Sequence, residues 1–251
     1  MGTLDWPAPA GCNLAAFDTI DSTNAEALRR ARDGHTSPLW VVSQEQTAGR
    51  GRHGRSWNSP RGNMYASRLM AGGEAPSEPQ TLPFVAGLAA YDAALSVGVD
   101  PDATGLRLKW PNDLVAGQAK LAGILGESET VAGHRVAVIG TGINVMSTTA
   151  DRATASLHEL GSTVTPADLF AAFAKRFADW LAVWNGGAGF ADIRLAWLQR
   201  AGELGRTTSV RLGTDRLAGR FAGLDPSGAL LLDLDDGTTR RISTGDVMMA
   251  G

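Results

Sequence analysis

Residues 49–63 read GRGRHGRSWNSPRGN, and this stretch lies between two strand-like segments, LWVVS at 39–43 and NMYASRLM at 63–70. Glycine lets the backbone reach angles that other residues avoid, so the stretch can turn tightly around a small group. Arginine carries planar forks of hydrogen-bond donors that match the oxygens of phosphate or carboxylate. The sequence therefore predicts a loop that joins two strands and closes over an anionic ligand.

The composition indicates that this anion site is local. The 251-residue chain has a formal net charge of −3, which argues against bulk attraction to nucleic acid or to an anionic membrane. Its length suits one large domain with a small appendage and leaves ample residues for a core.

The chain has the features of a cytoplasmic protein. Cys12 is the single cysteine, which excludes an internal disulfide and fits a reducing compartment. The first residues, MGTLDWPAPAGC, lack the charged and apolar regions of a secretory signal. No uninterrupted apolar stretch reaches the length that a membrane helix needs. We therefore expect a cytoplasmic protein without a membrane segment.

The segments around the loop predict an α+β fold. The string DSTN at residues 21–24 is a helix cap before AEALRRARDG, a helix-favouring run that Gly34 can end. Apolar residues at helical spacing predict further helices over residues 81–97, after Thr165, and through FADIRLAWLQRAG. Short strands are expected at residues 106–110, 121–127 and 136–140.

The C-terminal part has a different pattern. From about Gly205 the sequence consists of short β-like runs, SVRL, LAGRFAGLD, ALLLDLD and TTRRIST, separated by Gly, Asp and Pro. We predict a mixed β-sheet with flanking helices over residues 14–203 and a small all-β domain over residues 204–251.

The arginine-glycine stretch also matches two nucleotide-binding patterns, but its context argues against both. GRGRHG satisfies G-x-G-x-x-G, and GRGRHGRS is one residue type from a P-loop, with Arg55 where lysine belongs. Either motif must open a helix directly after a strand, and here WNSPRGN follows, with a proline and no helical period. A flexible, solvated Arg-Gly loop remains the alternative to an anion-binding loop.

Three further strings are ambiguous when each is taken alone. KWPND at residues 109–113 is typical of a strand end followed by a turn. KLAGILGE at residues 120–127 places Lys120 before an apolar strand whose glycines allow close approach of a backbone or a ligand. IGTGINV at residues 139–145 is typical of a bulge or tight bend. The four histidines show no metal-ligand spacing and no triad-like pairing with serine.

Taken in order, these strings resemble the biotin protein ligase family, the biotin–[acetyl-CoA-carboxylase] ligases. The matching pieces are DSTN, QTAGRGRHGRSW, KWPND, KLAGILGE and GTGINV, which span residues 21–145. Each string is ambiguous alone, whereas five in this order are highly specific. The tail LAGRFAGLDPSGALLL resembles the small SH3-like β-barrel domain at the C-terminus of that family. The family's class II synthetase-like mixed sheet agrees with the α+β pattern above.

The resemblance implies a ligase that works in two steps. The biotin carboxylate attacks the α-phosphate of ATP and gives biotinyl-5′-AMP and pyrophosphate. A lysine of a biotin carboxyl carrier domain of acyl-CoA carboxylases then takes the biotinyl group and releases AMP. Two anions must meet, so cations must screen them, and such chemistry depends mainly on positioning and charge. Mg²⁺ would arrive with the nucleotide, and no dedicated metal site is expected.

The resemblance also implies roles for individual residues. The catalytic set is Arg52, Lys120, Arg55 and Asp113, with Asp113 either touching Mg²⁺ or orienting Lys120. The biotin-binding set is Ser22, Thr23, Asn24, Gln46, Gly49, Arg50, Arg52, Lys120, Gly123 and Gly142. The nucleotide-binding set is Arg52, Arg55, Trp57, Asn112, Lys120 and Asn144, in which Trp57 and Asn144 face the adenine.

Three rival functions differ from this one in ways that the sequence addresses. A lipoate ligase or octanoyl transferase shares the fold but needs a long apolar tunnel. A phosphate- or RNA-binding module would use the arginine loop and show steeply salt-dependent affinity. Some family members carry an N-terminal helix-turn-helix domain and act as repressors. Because DSTN starts at residue 21, we expect no DNA-binding function. A weak homodimer and the identity of the carrier protein stay open.

Overall fold

A mixed seven-stranded sheet forms the larger part of the molecule. The computed structural model describes residues 5–76, 78–146, 153–213 and 215–249. The strands of this first sheet are β1 (Asn13–Ile20), β2 (Leu39–Gln46), β3 (Met64–Met70), β4 (Leu106–Lys109), β5 (Asp113–Ala116), β6 (Ala119–Val131) and β7 (His134–Ile143). Their order is β1-β2-β3-β7-β6-β5-β4. The β1–β2 pair is parallel, and the other pairs of this sheet are antiparallel.

Helices cover both faces of the first sheet. They are α1 (Thr23–Arg32), α2 (Leu82–Ser96), α3 (Pro101–Thr104), α4 (Pro166–Trp184) and α5 (Phe190–Gln199). As the DSTN string predicts, Ser22 is the N-cap of α1, and its hydroxyl accepts the backbone N–H of Ala25 at 3.4 Å. The four helices predicted from the sequence are confirmed as α1, α2, α4 and α5.

The two faces hold separate apolar clusters because successive residues of a strand point to opposite sides of a sheet. On β2, Leu39 and Val41 pack with α1 in the smaller cluster. Trp40 and Val42 belong to the larger cluster, which includes α2, α4 and α5. The functional site described below lies on the α1 side.

Trp40 is the centre of the larger cluster. It is 2% exposed, and its ring meets three phenylalanines of α4 edge-on. The centroid distances are 5.5 Å to Phe170, 5.8 Å to Phe173 and 5.3 Å to Phe177. Residues spaced three and four apart share one face of a helix, so α4 presents all three rings to the same strand.

A five-stranded antiparallel sheet, called here the C-terminal sheet, follows α5. Its strands are β8 (Thr207–Leu212), β9 (Asp215–Leu224), β10 (Leu230–Asp233), β11 (Thr239–Ile242) and β12 (Asp246–Met249), in the order β11-β10-β9-β8-β12. Phe221, Leu230 and Leu232 fill its buried side. This arrangement agrees with the small SH3-like domain expected from the sequence.

The turn between β9 and β10 contacts the larger part of the molecule through the backbone of Gly228. The indole N–H of Trp110 donates to the carbonyl of Gly228 at 3.0 Å. A Cβ at Gly228 would lie 2.8 Å from the ring of Phe84. Glycine is therefore needed where the two parts meet.

Among the described residues, no helix is both long and apolar enough to span a bilayer.

Three strands were not predicted from the sequence. β1 is an edge strand whose residues are exposed or half-buried, so its hydrophobic pattern is weak. β5 and β12 have only four residues each. Such short segments depend on pairing partners distant in the chain rather than on local propensity.

Replacing Trp40 by alanine should destabilise the protein strongly. The change removes three aromatic contacts and leaves a cavity, which costs about 3–5 kcal/mol of unfolding free energy. Urea denaturation followed by circular dichroism measures this loss. Leu195→Ala is the control, because Leu195 is 58% exposed and its truncation should change stability by less than about 0.5 kcal/mol. Equal denaturation midpoints for both variants would contradict the role given to Trp40.

Candidate active site

A cavity of about 280 Å³ opens on the α1 side of the first sheet. Its walls come from the start of α1, the end of β2, the arginine-glycine loop, the β4–β5 turn, and strands β6 and β7. The cavity brings together segments that are far apart in the chain, from Ser22 to Val247. It also contains nearly all of the residues that the sequence assigns to function.

The floor of the cavity is backbone rather than side chain. Gly123 on β6 pairs directly with Gly142 on β7, and Gly140 lies two residues earlier on the same face. A Cβ at Gly123 or Gly142 would lie 2.9 Å or 2.8 Å from the indole of Trp57, and a Cβ at Gly140 would overlap the amide of Asn24. These three glycines, called the glycine floor, let Trp57 and Asn24 lie against the strands.

The arginine-glycine loop is bonded to itself above this floor. The N–H of Gly51 donates to the carbonyl of Arg55 at 2.7 Å, and the N–H of Trp57 donates to the carbonyl of Gly49 at 2.9 Å. Further along the loop, the Tyr65 hydroxyl donates to the carbonyl of Pro60 at 2.8 Å. Burial raises the pKa of the Tyr65 phenol, so it remains a neutral donor at physiological pH.

The loop places three guanidinium groups on the cavity wall, those of Arg50, Arg52 and Arg55. Arg52 donates to the Oδ1 of Asn112 at 3.1 Å and to the carbonyl of Gly245 at 3.3 Å. The second contact joins the loop to the C-terminal sheet, just before β12. Arg52 therefore lies where the two sheets and the loop meet.

Lys120 lies between a carboxylate and an aromatic ring. Its ammonium is 2.6 Å from the Oδ1 of Asp113 and 5.0 Å from the ring centroid of Trp57. Both charged side chains are less than a quarter exposed. A cation held over a ring and against a carboxylate has a fixed position. Asp113 therefore contacts Lys120 directly, and its functional role stays a prediction.

The opposite end of the cavity is polar but uncharged. The Oε1 of Gln46 accepts from the backbone N–H of Thr23 at 2.9 Å and from its hydroxyl at 3.1 Å. The buried hydroxyl of Ser67 is 2.7 Å from the Thr23 hydroxyl and 2.6 Å from the Oδ1 of Asn24. Two hydroxyl hydrogens serve these three oxygen–oxygen contacts, so this end is rich in acceptors.

The helix cap beside this polar end is itself stabilised by charge. The Arg29 guanidinium donates twice to the Asp21 carboxylate at 2.8 Å. This interaction lowers the pKa of Asp21 to about 2. The carboxylate therefore stays ionised in physiological conditions and fixes the chain as it enters α1.

The structure gathers most of the predicted site residues in one place. On the cavity wall are Ser22, Thr23, Asn24, Gln46, Arg50, Arg52, Arg55, Trp57, Asn112, Asp113, Lys120, Gly123 and Gly142. Gly49, the first residue of the loop, is not among the residues that line the cavity, and a Cβ there would clash with the carbonyl of Trp57 and the hydroxyl of Ser59. Asn144 is 5% exposed and its amide donates to the carbonyls of Lys120 and Ala155. It holds the backbone of Lys120 from behind the cavity.

Several residues of the site were not assigned from the sequence. Glu127 accepts hydrogen bonds from both Asn24 and Arg50, although the KLAGILGE string gave it no role. Ser67 hydrogen-bonds beneath α1, and Arg211 reaches the cavity from the C-terminal sheet. Glu127 could have been found from the sequence, because it is the acidic residue at the end of the KLAGILGE string. No sequence pattern pointed to Ser67 or Arg211.

Comparison with known proteins shows which family the chain belongs to. Residues 16–144 match the Biotin/lipoate A/B protein ligase family, and residues 204–249 match the Biotin protein ligase C terminal domain. A biotin–[acetyl-CoA-carboxylase] ligase of Paracoccus denitrificans is 40% identical over 221 residues, which cover 84% of this chain and 90% of that protein. The chain belongs to the biotin protein ligase family.

Other relatives of this biotin protein ligase support the same conclusion. The bifunctional ligase/repressor BirA of Escherichia coli is 31% identical over 242 residues, covering 94% of this chain and 72% of that protein. A biotin protein ligase from Aquifex aeolicus, solved in complex with biotin and ATP, aligns with a TM-score of 0.75 and 26% identity over 94% of this chain and 97% of that one. The predicted ligase activity and α+β fold are confirmed.

Adding a methyl group to the glycine floor should move Trp57. In Gly142→Ala the new Cβ would lie 2.8 Å from the indole nitrogen, so the ring must shift off the strands. In protein labelled with 5-fluorotryptophan, we expect the ¹⁹F resonance that is lost in Trp57→Phe to move.

Gly73→Ala is the matched control for this experiment. A Cβ at Gly73 would have no neighbour within 4 Å, and the Trp57 resonance should stay in place. An unchanged Trp57 resonance in Gly142→Ala would show that the ring does not lie on the floor.

Proposed function

We propose that this ligase activates biotin with ATP and then biotinylates a lysine of a carrier domain. In the first step, a biotin carboxylate oxygen bonds to the α-phosphorus of ATP, and the bond to pyrophosphate breaks. In the second step, the lysine amine bonds to the acyl carbon of biotinyl-5′-AMP, loses a proton and displaces AMP. The acceptor is a biotin carboxyl carrier domain of an acyl-CoA carboxylase.

The observation that carries this proposal is the division of one cavity into two chemically different ends. The cation end holds Arg52, Arg55, Lys109, Lys120 and Arg211, and Asp113 is the carboxylate on the cavity wall. These cations gather in a chain whose net charge is −3. Such a concentration of positive charge suits a site where a carboxylate and a triphosphate must approach each other.

The uncharged end suits the fused-ring head of biotin, which carries N–H donors and one carbonyl. Thr23, Asn24 and Gln46 supply acceptor oxygens in fixed orientations, and Ser22 lies at the start of the same helix. A buried acceptor-rich surface favours a ligand that brings its own donors, because unmatched polar groups are costly. The glycine floor and Trp57 then border the ligand between the two ends.

We assign the charged chemistry to Arg52 and Lys120, with Arg55 in support. Asn112 already positions Arg52, and Asp113 already positions Lys120. Preorganised donors cost little rearrangement when charge develops at the α-phosphate. The loop above the floor would also shield the reactive anhydride from water.

Mg²⁺ would enter with the nucleotide. No group of three acidic, histidine or cysteine side chains gathers to hold a metal within residues 5–76, 78–146, 153–213 and 215–249. Magnesium on a nucleotide needs only one or two protein carboxylates. Asp113 is the carboxylate on the cavity wall, so it is the residue that would meet the ion, whose charge would offset that of the phosphates.

The two domains contribute different residues to the site. We propose that residues 14–203 bind biotin and ATP and that residues 204–251 complete the site from the side of Arg211 and Gly245. Cys12 is free, which suits the reducing cytoplasm that we propose as the location of this ligase.

Pyrophosphate exchange into ATP should depend on biotin. The wild type should incorporate labelled pyrophosphate with biotin and show little exchange with lipoate, since Thr23, Asn24 and Gln46 offer acceptor oxygens to the N–H donors of biotin, which lipoate lacks. Arg52→Ala and Lys120→Ala should each lower kcat/KM by about 100-fold or more, the loss expected for one preorganised donor.

Lys175→Ala is the control for loss of a positive charge. Lys175 is on α4, is 69% exposed and pairs with Asp179, so its removal should leave exchange unchanged. Exchange that is absent in the wild type, or equal with lipoate, would refute the proposed function. Full activity in both cation variants would refute only the roles given to Arg52 and Lys120.

A further inference from the structure

Glu127 contacts two parts of the site at one atom. Its Oε2 accepts from the Nδ2 of Asn24 at 2.7 Å and from the guanidinium of Arg50 at 2.9 Å. Asn24 belongs to the first turn of α1, Arg50 belongs to the arginine-glycine loop, and Glu127 belongs to β6. One carboxylate oxygen therefore joins three segments that are far apart in the sequence.

The carboxylate dictates which way the amide of Asn24 faces. The Nδ2 of Asn24 donates to Glu127 and to the carbonyl of Leu125 at 3.3 Å. The Oδ1 consequently faces the hydroxyl of Ser67 at 2.6 Å. A flipped amide would place its oxygen against a carboxylate and a carbonyl, which repel it. Glu127 thereby sets the acceptor character of the uncharged end.

The same carboxylate holds one side of the loop. Arg50 and Glu127 form an ion pair whose side chains are 43% and 26% exposed. On its other sides, the loop is held by Trp57 on the glycine floor and by Arg52 against Asn112. A partly exposed ion pair gives modest energy, but this one fixes a segment that lies above the cavity.

We propose that Glu127 is a positioning residue for biotin recognition, acting through Asn24 and Arg50 without belonging to the cation end. The inference rests on the proposed function. Because Glu127 orients groups around the uncharged end, its charge should affect binding of biotin more than chemistry at the α-phosphate. A change confined to ground-state binding raises KM and leaves kcat nearly constant.

Glu129 on the same strand offers a matched control. It lies two residues further along β6, on the same face, and its ion pair with Arg32 has an N–O distance of 2.6 Å. Its side chain is 28% exposed, against 26% for Glu127. Glu129→Gln removes the same charge in a similar setting, but its partner Arg32 is not among the residues that line the cavity, whereas Asn24 and Arg50, the partners of Glu127, are.

The kinetic test measures biotin-dependent pyrophosphate exchange in Glu127→Gln and Glu129→Gln. We expect Glu127→Gln to raise the KM for biotin about ten-fold, equivalent to about 1.4 kcal/mol, with kcat within about two-fold of wild type. Glu129→Gln should change neither constant. A KM for Glu127→Gln equal to that of Glu129→Gln, or a loss confined to kcat, would overturn the proposal.

The conservative variant separates charge from general packing. Glu127→Asp keeps the negative charge and should lie closer to wild type in KM than Glu127→Gln does. In an Arg50→Ala background, Glu127→Gln should raise KM by a smaller factor than in wild type, because part of its effect passes through Arg50. The reverse order of the two Glu127 variants, or full additivity with Arg50→Ala, would contradict the mechanism.

A measurement without any ligand distinguishes this inference from the function on which it rests. Amide hydrogen exchange at Gly51 and Trp57, both hydrogen-bonded within the loop, reports how firmly the loop is held. Exchange should be faster in Glu127→Gln and unchanged in Glu129→Gln. Equal protection of these amides in both variants would contradict the proposal that Glu127 holds the loop, whether or not the wild type activates biotin.

Discussion

The indole of Trp57 rests on two paired strands at positions that carry no side chains. Gly123 and Gly142 are cross-strand partners, and a Cβ on either would collide with the ring. This close approach determines how far the arginine-glycine loop descends over the sheet. The positions of Arg50 and Arg52, which flank Gly51 in the same loop, depend on that descent. The glycine floor is thus the constraint from which the geometry of the cavity follows.

Charge complements this constraint. The cations of the cavity are held by specific partners: Arg50 by Glu127, Arg52 by Asn112 and the backbone of Gly245, and Lys120 by Asp113. A site assembled in this way presents positive charge at fixed points, which is more effective for charged transition states than mobile side chains are. The C-terminal sheet contacts the loop through the carbonyl of Gly245.

The sequence predicted what is encoded locally. The DSTN cap, the arginine-glycine loop and the strand that begins near Lys120 are short patterns with their own physical meaning, and the structure contains all three. Contacts between distant segments were not predictable in this way. The bond from Arg50 to Glu127 spans 77 positions and depends on the order of strands in the sheet. The edge strand β1 was missed because it buries too little to show a pattern.

The measurement that tests this account most directly is a crystal structure with a non-hydrolysable analogue of biotinyl-5′-AMP. The account predicts the loop closed above the glycine floor, with the guanidinium of Arg52 and the ammonium of Lys120 both within hydrogen-bond distance of the phosphate group. A bound analogue whose phosphate group is contacted by neither residue, with the loop turned away from Gly123 and Gly142, would contradict it.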